Sequence, residues 1–298
     1  MIRRRRLASP LAALLCAAAC APRLPSGGAP LAAAVEVGGA RIRVVAGRED
    51  AAAGRLVAEV LGEAIPRAAR FGRLTVPVTI TVHPSHEALE AAVRGTDYPW
   101  LRAWATYSAI ELQSPATWSL LGASRPQLVE LVAHELAHCA MYQRAATEAG
   151  WARAVIPLWF REGLASHAAG QGHRRGSLEA LRHHYLARSG AGSGGGAGGG
   201  VAGPRLQARL ARGRAPEGDP LAAPDLLDQD GADVVYGAAH HAFQFLLERY
   251  GEGRPGAILD RMRAGATFAR AFREEVGLGE AELLADFRRY VVWEGWRR

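Results

Sequence analysis

The chain contains no lysine, and all 36 of its Lys and Arg positions are arginine. Alanine, glycine and arginine are abundant, which indicates GC-rich codon usage more than a selected surface chemistry. The formal net charge is +7, and four of the positive charges lie in the run Arg3 to Arg6. The charge that remains beyond that run is too small to indicate a nucleic-acid partner.

Cysteine is also scarce, and the complete set is Cys16, Cys20 and Cys139. The first two lie close to the N-terminus and the third lies in a separate apolar run, so we predict no structural disulfide. With 49% hydrophobic and 22% charged residues, the composition is ordinary for a soluble globular protein.

Residues 1–19 have the pattern of a bacterial secretory signal. A charged start is followed by the apolar segment Leu7 to Ala19, which is too short to span a bilayer. The segment ends at Ala17-Ala18-Ala19-Cys20, which resembles a lipoprotein cleavage site except that Ala17 stands where leucine is usual. We therefore expect a lipidated Cys20 that attaches the protein to the bacterial cell envelope, on its periplasmic or outer face. Cleavage after Ala19 without lipidation, which gives a soluble secreted protein, is the alternative.

Composition divides the rest of the chain into four parts. Residues 20–33 are rich in Pro, Gly and Ala and indicate a flexible tether. Residues 34–188 mix strand and helix patterns, the Gly-rich stretch 189–204 follows, and residues 205–298 have a helical pattern. We interpret the Gly-rich stretch as a loop inserted in one structural unit. A linker between two domains is the alternative.

Apolar periodicity predicts an α+β fold, in which a small mixed β-sheet precedes a mainly α-helical C-terminal part. From residue 222 onward the spacing is that of a small helical bundle. We expect the strand at 106–112 to be the edge strand above the helix that contains His134 and His138. The predicted strands and helices of the first part are a hairpin at 35–45, a helix at 49–70, a strand at 74–82, a helix at 85–93 and a strand at 106–112.

The stretch His134-Glu135-Leu136-Ala137-His138 carries the strongest chemical signal. Two histidines four residues apart lie on one face of a helix, where both imidazoles can ligate one zinc ion. Glu135 lies about 100° round the helix, where it reaches a water on the metal more easily than the metal itself. Cys139 is turned away from the metal face in the same way, so we interpret it as a core residue. Because so short a motif also arises by chance, its setting matters.

The helix that carries the motif is predicted to be buried. Ser124-Arg125-Pro126-Gln127 has the form of a capping box with proline in the first turn. The residues from Leu128 to Ala140 are apolar almost all round the helix. Buried histidine and glutamate side chains need partners, and a metal ion supplies one. Two core histidines hydrogen-bonded to the backbone are the alternative.

Two histidines leave a catalytic zinc ion short of a third protein ligand. Glu162 fits that role, because it follows Pro157, which can open a helix, and lies among large apolar residues. Glu148 is the nearby alternative, but it lies in a polar stretch at the end of the first helix. A third histidine in the extended His-x-x-Gly-x-x-His pattern is absent, since Met141 and Arg144 occupy those places.

With these residues the chain resembles the gluzincin metallopeptidases, and within them the small families described as peptidase MA-like. The resemblance spans roughly residues 75–292 and rests on His134 to His138, on Pro157 to Ala165 and, more loosely, on Tyr236 to Leu246. It implies that zinc is bound by His134, His138 and Glu162. It also implies that Glu135 is the general base, which takes a proton from water and hands it to the leaving amine of a peptide or protein substrate.

Two features of the implied site are open at this stage. In several gluzincins an Asp four residues beyond the ligand Glu supports a zinc-bound His, whereas this chain has Ser166 there and His167 next. A donor opposite the metal stabilises the oxyanion in such sites. Tyr236 is our candidate, with His240 one turn later as the weaker choice. A core tyrosine with a satisfied hydroxyl is the alternative for Tyr236.

The sequence therefore predicts a zinc-dependent peptidase of the cell envelope. A zinc-binding but non-hydrolytic domain with a binding or assembly role is one alternative, and Glu135 argues against it because a structural site does not need that carboxylate. A helical scaffold without metal is the other alternative. The pattern predicts neither cleavage specificity nor oligomeric state.

Overall fold

The computed structural model describes residues 31–95, 98–188, 210, 212, 218–222 and 232–293. The predicted signal segment, the lipidation site at Cys20 and the Gly-rich loop lie outside the described residues. The first strand already begins at Leu31, three residues before the predicted start of the mixed part. Its alanine-rich sequence carries little strand propensity of its own, and pairing with the next strand supplies the order.

The described sheet has five strands in the spatial order β1-β2-β3-β5-β4. Strands β1 and β2 form the predicted hairpin over Gly38-Gly39, and β2, β3 and β5 run parallel to one another. The last pair, β4 and β5, is antiparallel. The predicted small mixed sheet is thus confirmed. The strands are β1 Leu31–Val37, β2 Ala40–Ala46, β3 Val78–His83, β4 Ala103–Ala105 and β5 Ala109–Gln113.

Helices make up most of the remaining described chain, so the α+β class is confirmed. Short 3₁₀ helices lie at Pro115–Thr117, Trp151–Arg153 and Gln171–Arg174. The α-helices are α1 Ala51–Ala68, α2 His86–Val93, α3 Arg125–Ala145, α4 Leu158–Ala169, α5 Leu178–Arg188, α6 Ala232–Tyr250, α7 Arg254–Arg263, α8 Phe268–Val276 and α9 Glu280–Val292. Within the described residues, none of these helices has both the length and the apolarity needed to cross a membrane.

The prediction that residues 106–112 form the edge strand is wrong. Strand β5 lies inside the sheet between β3 and β4, and the three-residue β4 is the edge strand. Thr106 to Ser108 form the turn between them, where the Thr106 N–H donates to the carbonyl of Ala109 at 2.8 Å. A strand of three residues is too short to show an alternating pattern, which explains the error.

Helix α3 lies at the centre of the molecule. It contacts α1, α4 and α7 as well as β4 and β5, and most of its residues are buried. One continuous apolar core includes residues on both sides of the Gly-rich stretch, among them Phe160 and Phe243. Helices α4 and α6 approach closely at Gly163, where a Cβ atom would overlap Phe243 and the carbonyl of Ala239. This approach sets the position of α4, which carries Glu162, against the C-terminal helices.

Candidate metal centre and active-site cleft

Helix α3 begins where the sequence predicts. The Ser124 hydroxyl accepts from the Gln127 N–H at 3.4 Å, and the Gln127 side chain accepts from the Ser124 N–H at 2.9 Å. This capping box satisfies two of the backbone donors that a helix start leaves free. Ten residues further on, His134 and His138 project from the same buried face of the helix.

Three potential ligand atoms converge between α3 and α4. The Nε2 atoms of His134 and His138 lie 3.2 Å apart, and each lies 3.4 Å from the Oε2 atom of Glu162. All three side chains are buried. In the part of the chain that the structure describes, this is the one group of three or more His, Cys, Asp or Glu side chains with metal-binding proximity.

The donor set fits a tetrahedral metal ion. An ion about 2.0–2.1 Å from each ligand atom places those atoms about 3.3–3.4 Å apart, which is close to the observed spacings. Two imidazole nitrogens held at 3.2 Å beside a buried carboxylate are costly without a cation between them. The alternative of two core histidines bonded to backbone does not match, because both Nε2 atoms face Glu162.

Glu162 is held as an anion. Burial alone raises the pKa of its carboxyl group, but the facing His138 and His134 side chains outweigh burial and hold that pKa well below its usual range. The second oxygen, Oε1, accepts a hydrogen bond from the Nε of Arg161 at 3.2 Å. One oxygen therefore faces the two histidines while the other is oriented by a guanidinium group.

Glu135 lies beside this group and not within it. Its side chain is buried, and it lines the same cleft as the three candidate ligands. Burial raises the pKa of Glu135 to about 7, with His134 lowering it and Glu162 raising it further. A carboxyl group with this pKa can both accept and return a proton near neutral pH.

The cleft in front of the three ligands has a volume of about 350 Å³. It is lined by the edge strand β4 and by residues of α3, α4, the 3₁₀ helix Gln171–Arg174 and the start of α6. Several aromatic and arginine side chains line the cleft. They include Trp100, Trp104, Tyr142, Arg161, Arg175 and Tyr236.

Tyr236 lines the cleft. Its ring packs against Trp100 at 6.1 Å between centroids, and the Arg175 guanidinium carbon lies 5.3 Å from the ring centre. Burial, followed by the negative charges of Glu162 and Glu135, raises the pKa of this phenol far above its ordinary value. The phenol is therefore a hydrogen-bond donor at every pH at which the protein would work.

His240 does not line the cleft. Its Nδ1 atom lies 3.0 Å from the Ser166 hydroxyl, and its ring stacks on His167 at 4.1 Å between centroids. His240, the weaker candidate for the oxyanion donor, therefore lies outside the cleft. Glu148, the alternative third ligand, is exposed and belongs to no ligand group among the described residues. Cys139 is a buried free thiol in the core.

Several cleft residues were not predicted from the sequence. Tyr142 lies one turn beyond His138 on the same helix face, and its ring stacks on His138 with a centroid distance of 6.3 Å. The four-residue spacing of His134, His138 and Tyr142 indicates that all three side chains lie on one helix face. Gln171 and Arg175 had no such signal, because they reach the site through a turn after α4. The roles assigned to the five predicted site residues remain predictions, although the structure brings all five to one cleft.

Comparisons with known proteins do not assign the chain to a family. No protein-family model matches the chain. No curated protein matches it either.

The chain is similar to the solved structure of Legionella pneumophila aminopeptidase A in complex with aspartic acid, with a TM-score of 0.45 and 14% identity over 87% of this chain. It is also similar to an M1 zinc metallopeptidase mutant from Deinococcus radiodurans bound to a Tyr-Ser-Ala substrate, with a TM-score of 0.37 and 15% identity over 89%. The chain spans 28% of the first protein and 51% of the second. Function is therefore inferred from the geometry of the site itself.

Proposed function

We propose that the protein is a zinc-dependent peptidase of the gluzincin type. The buried donor set of His134, His138 and Glu162, which opens onto a cleft beside Glu135, supports this proposal most directly. Structural zinc sites are closed by four protein ligands, whereas three ligands next to a cleft are typical of catalytic sites. When bound, zinc supplies a water of lowered pKa and polarises the substrate carbonyl group.

Glu135 moves the proton in the proposed reaction. Its buried carboxylate accepts a proton from the attacking water, and the resulting carboxylic acid donates that proton to the leaving amine. Glu162 does not compete for this role, because its low pKa keeps it ionised. The two carboxyl groups thus have different tasks that follow from their surroundings.

Tyr236 stabilises the charge that develops on the substrate oxygen. Its phenol lines the cleft together with the candidate ligands and keeps its proton. A donor that is already oriented in a partly desolvated cleft stabilises an oxyanion without further rearrangement. In the proposed reaction the Tyr236 phenol donates to the developing negative charge.

A peptide in extended form is the substrate that the cleft accommodates best. Strand β4 pairs on one side with β5 and lies at the edge of the sheet. Its residues line the cleft, and Trp104 is half exposed there. An extended substrate can add to this edge through main-chain hydrogen bonds, as in other peptide-binding sheets.

The substitution Glu135→Gln tests the proposed chemistry. We expect the variant to keep one zinc ion per chain and to lose hydrolysis of a broad fluorogenic peptide library by about 10²–10⁴-fold, since only the proton acceptor is removed. Glu148→Gln is the matched control, because Glu148 is exposed and lies outside the cleft. The activity of this variant should equal that of the parent. Cleavage by Glu135→Gln at the parental rate would contradict the mechanism.

Two other results separate the proposal from its alternatives. Stoichiometric zinc in the parent without hydrolysis of any peptide would favour a non-hydrolytic domain with a binding or assembly role. A parent that binds no zinc would favour a helical scaffold.

We further propose attachment to the cell envelope through Cys20, on the basis of the pattern in residues 1–20. A Cys20→Ser variant should move from the membrane fraction to the soluble fraction. Unchanged membrane fractionation would contradict lipidation.

A further inference from the structure

A glutamine side chain contacts one of the candidate ligands from behind. The Oε1 atom of Gln171 lies 3.1 Å from the Nδ1 atom of His134, and both side chains are buried. The same oxygen lies 2.5 Å from a terminal nitrogen of Arg175. The Nε2 atom of Gln171 lies 3.4 Å from the carbonyl of Glu130, one turn before His134 on α3.

These contacts fix which end of the Gln171 amide is the oxygen. A guanidinium group only donates and a backbone carbonyl only accepts, so the atom facing Arg175 must be the oxygen and the atom facing Glu130 must be the nitrogen. Because the oxygen only accepts, the Nδ1 atom of His134 must carry the proton. The Nε2 atom of His134 then has its lone pair directed at the space shared with His138 and Glu162.

Ser166 occupies the position where several gluzincins have a supporting Asp, and its hydroxyl contacts other side chains. Ser166 bonds to His240 at 3.0 Å and accepts from the Nε of Arg175 at 3.1 Å. The Nδ1 atom of His138 is buried and has no hydrogen-bond partner among the residues that the structure describes. Among the described residues outside the candidate ligand set, Gln171 is therefore the side chain that hydrogen-bonds to a ligand imidazole.

The chain reaches this position through the end of α4. Helix α4 carries Glu162 and ends at Gly170, whose φ of 76° lies in the left-handed region that glycine adopts without strain. The turn that follows brings Gln171 back against α3, and Arg175 comes at the end of the same turn. One ligand and the support of another are thus placed by a single helix and its C-terminal turn.

We propose that Gln171 is the positioning residue of the metal centre: it fixes the tautomer and ring orientation of His134. This inference rests on the proposed metal site. Removal of a hydrogen-bond partner of a metal ligand typically lowers metal affinity by about 10–100-fold. In this role Gln171 acts through His134.

Metal affinity of two matched variants tests the inference. Gln171→Met keeps the length of the side chain and removes a good acceptor, so its zinc affinity should fall by about 10–100-fold in competition with a chromophoric chelator. Gln171→Glu keeps an oxygen for His134 and Arg175 but loses the donor to Glu130. Its zinc affinity should fall clearly less than that of Gln171→Met, or increase, because an acceptor for His134 is kept.

The outcomes are distinguishable from failure of the proposed function. A parent that binds no zinc contradicts the metal site itself. A parent that binds zinc tightly together with an unaffected Gln171→Met variant contradicts only the role of Gln171. Equal weakening in the Met and Glu variants also contradicts it, because a merely structural tether to Glu130 is lost in both. If Gln171→Met does not fold, Gln171→Ala provides the same comparison, with urea unfolding of the zinc-free proteins to verify folding.

Discussion

Replacement of Tyr236 by phenylalanine is the most informative perturbation of the cleft wall. The ring contacts with Trp100 and Arg175 do not involve the hydroxyl, so Tyr236→Phe should keep the packing and remove only the donor. Loss of one preoriented oxyanion donor costs about 10²–10³ in kcat, or about 2.7–4 kcal/mol. The Michaelis constant and zinc affinity should change little, since the hydroxyl contributes mainly in the transition state.

Steady-state kinetics on an internally quenched peptide measure this effect. Tyr142→Phe is the matched control, because Tyr142 is a second tyrosine that lines the same cleft, and burial raises its pKa to about 12. Tyr142 differs from Tyr236 in that its ring stacks on His138. We expect less than a tenfold effect on kcat there, well below the loss of an oxyanion donor. A large loss in Tyr142→Phe and none in Tyr236→Phe would refute the assignment of the donor to α6.

Three further predictions concern packing, pH and substrate charge. Gly163→Ala should destabilise the protein to urea by about 1–3 kcal/mol through overlap with α6, whereas Gly62→Ala, in an open part of α1, should stabilise it by about 0.5–1 kcal/mol. Burial lowers the pKa of His167 to about 4 and that of His240 to about 3. Below pH 6.5 the unfolded chain therefore binds more protons than the folded protein, and the free energy of unfolding should fall from pH 6.5 towards pH 4. In zinc-free protein, His167→Phe should reduce that slope by about 1.4 kcal/mol per pH unit, and an unchanged slope would contradict the shifts. The Arg175 guanidinium lies in the cleft and forms no ion pair with a described residue. At low salt, peptides with Asp or Glu near the scissile bond should therefore be cleaved faster than their Asn or Gln counterparts. Equal cleavage rates would contradict this prediction.

The candidate ligand residues could be identified from the sequence because their signals are local. His134 and His138 are one helical turn apart, and a carboxylate among large apolar residues, as at Glu162, already implies a buried cation. The capping box at Ser124 set the start of α3 from four residues alone. Such features need no knowledge of the tertiary fold.

The remaining features depend on contacts between distant parts of the chain. Residues 74–77 have a strand pattern, yet β3 begins at Val78, because the N–H groups of Thr75 and Val76 donate to the Gln143 side chain instead of to a neighbouring strand. The edge position of β4 and the contact between Gln171 and His134 likewise follow from how α3, α4 and the sheet pack together. Periodicity carries no information about such pairings.

The central claim is that one zinc ion lies between His134, His138 and Glu162. Anomalous diffraction from crystals of the zinc-loaded protein, with data on both sides of the zinc absorption edge, locates such an ion directly. We expect a single peak about 2.0–2.2 Å from His134 Nε2, His138 Nε2 and a Glu162 oxygen. A zinc peak at any other place, or no peak between these three side chains, would contradict it.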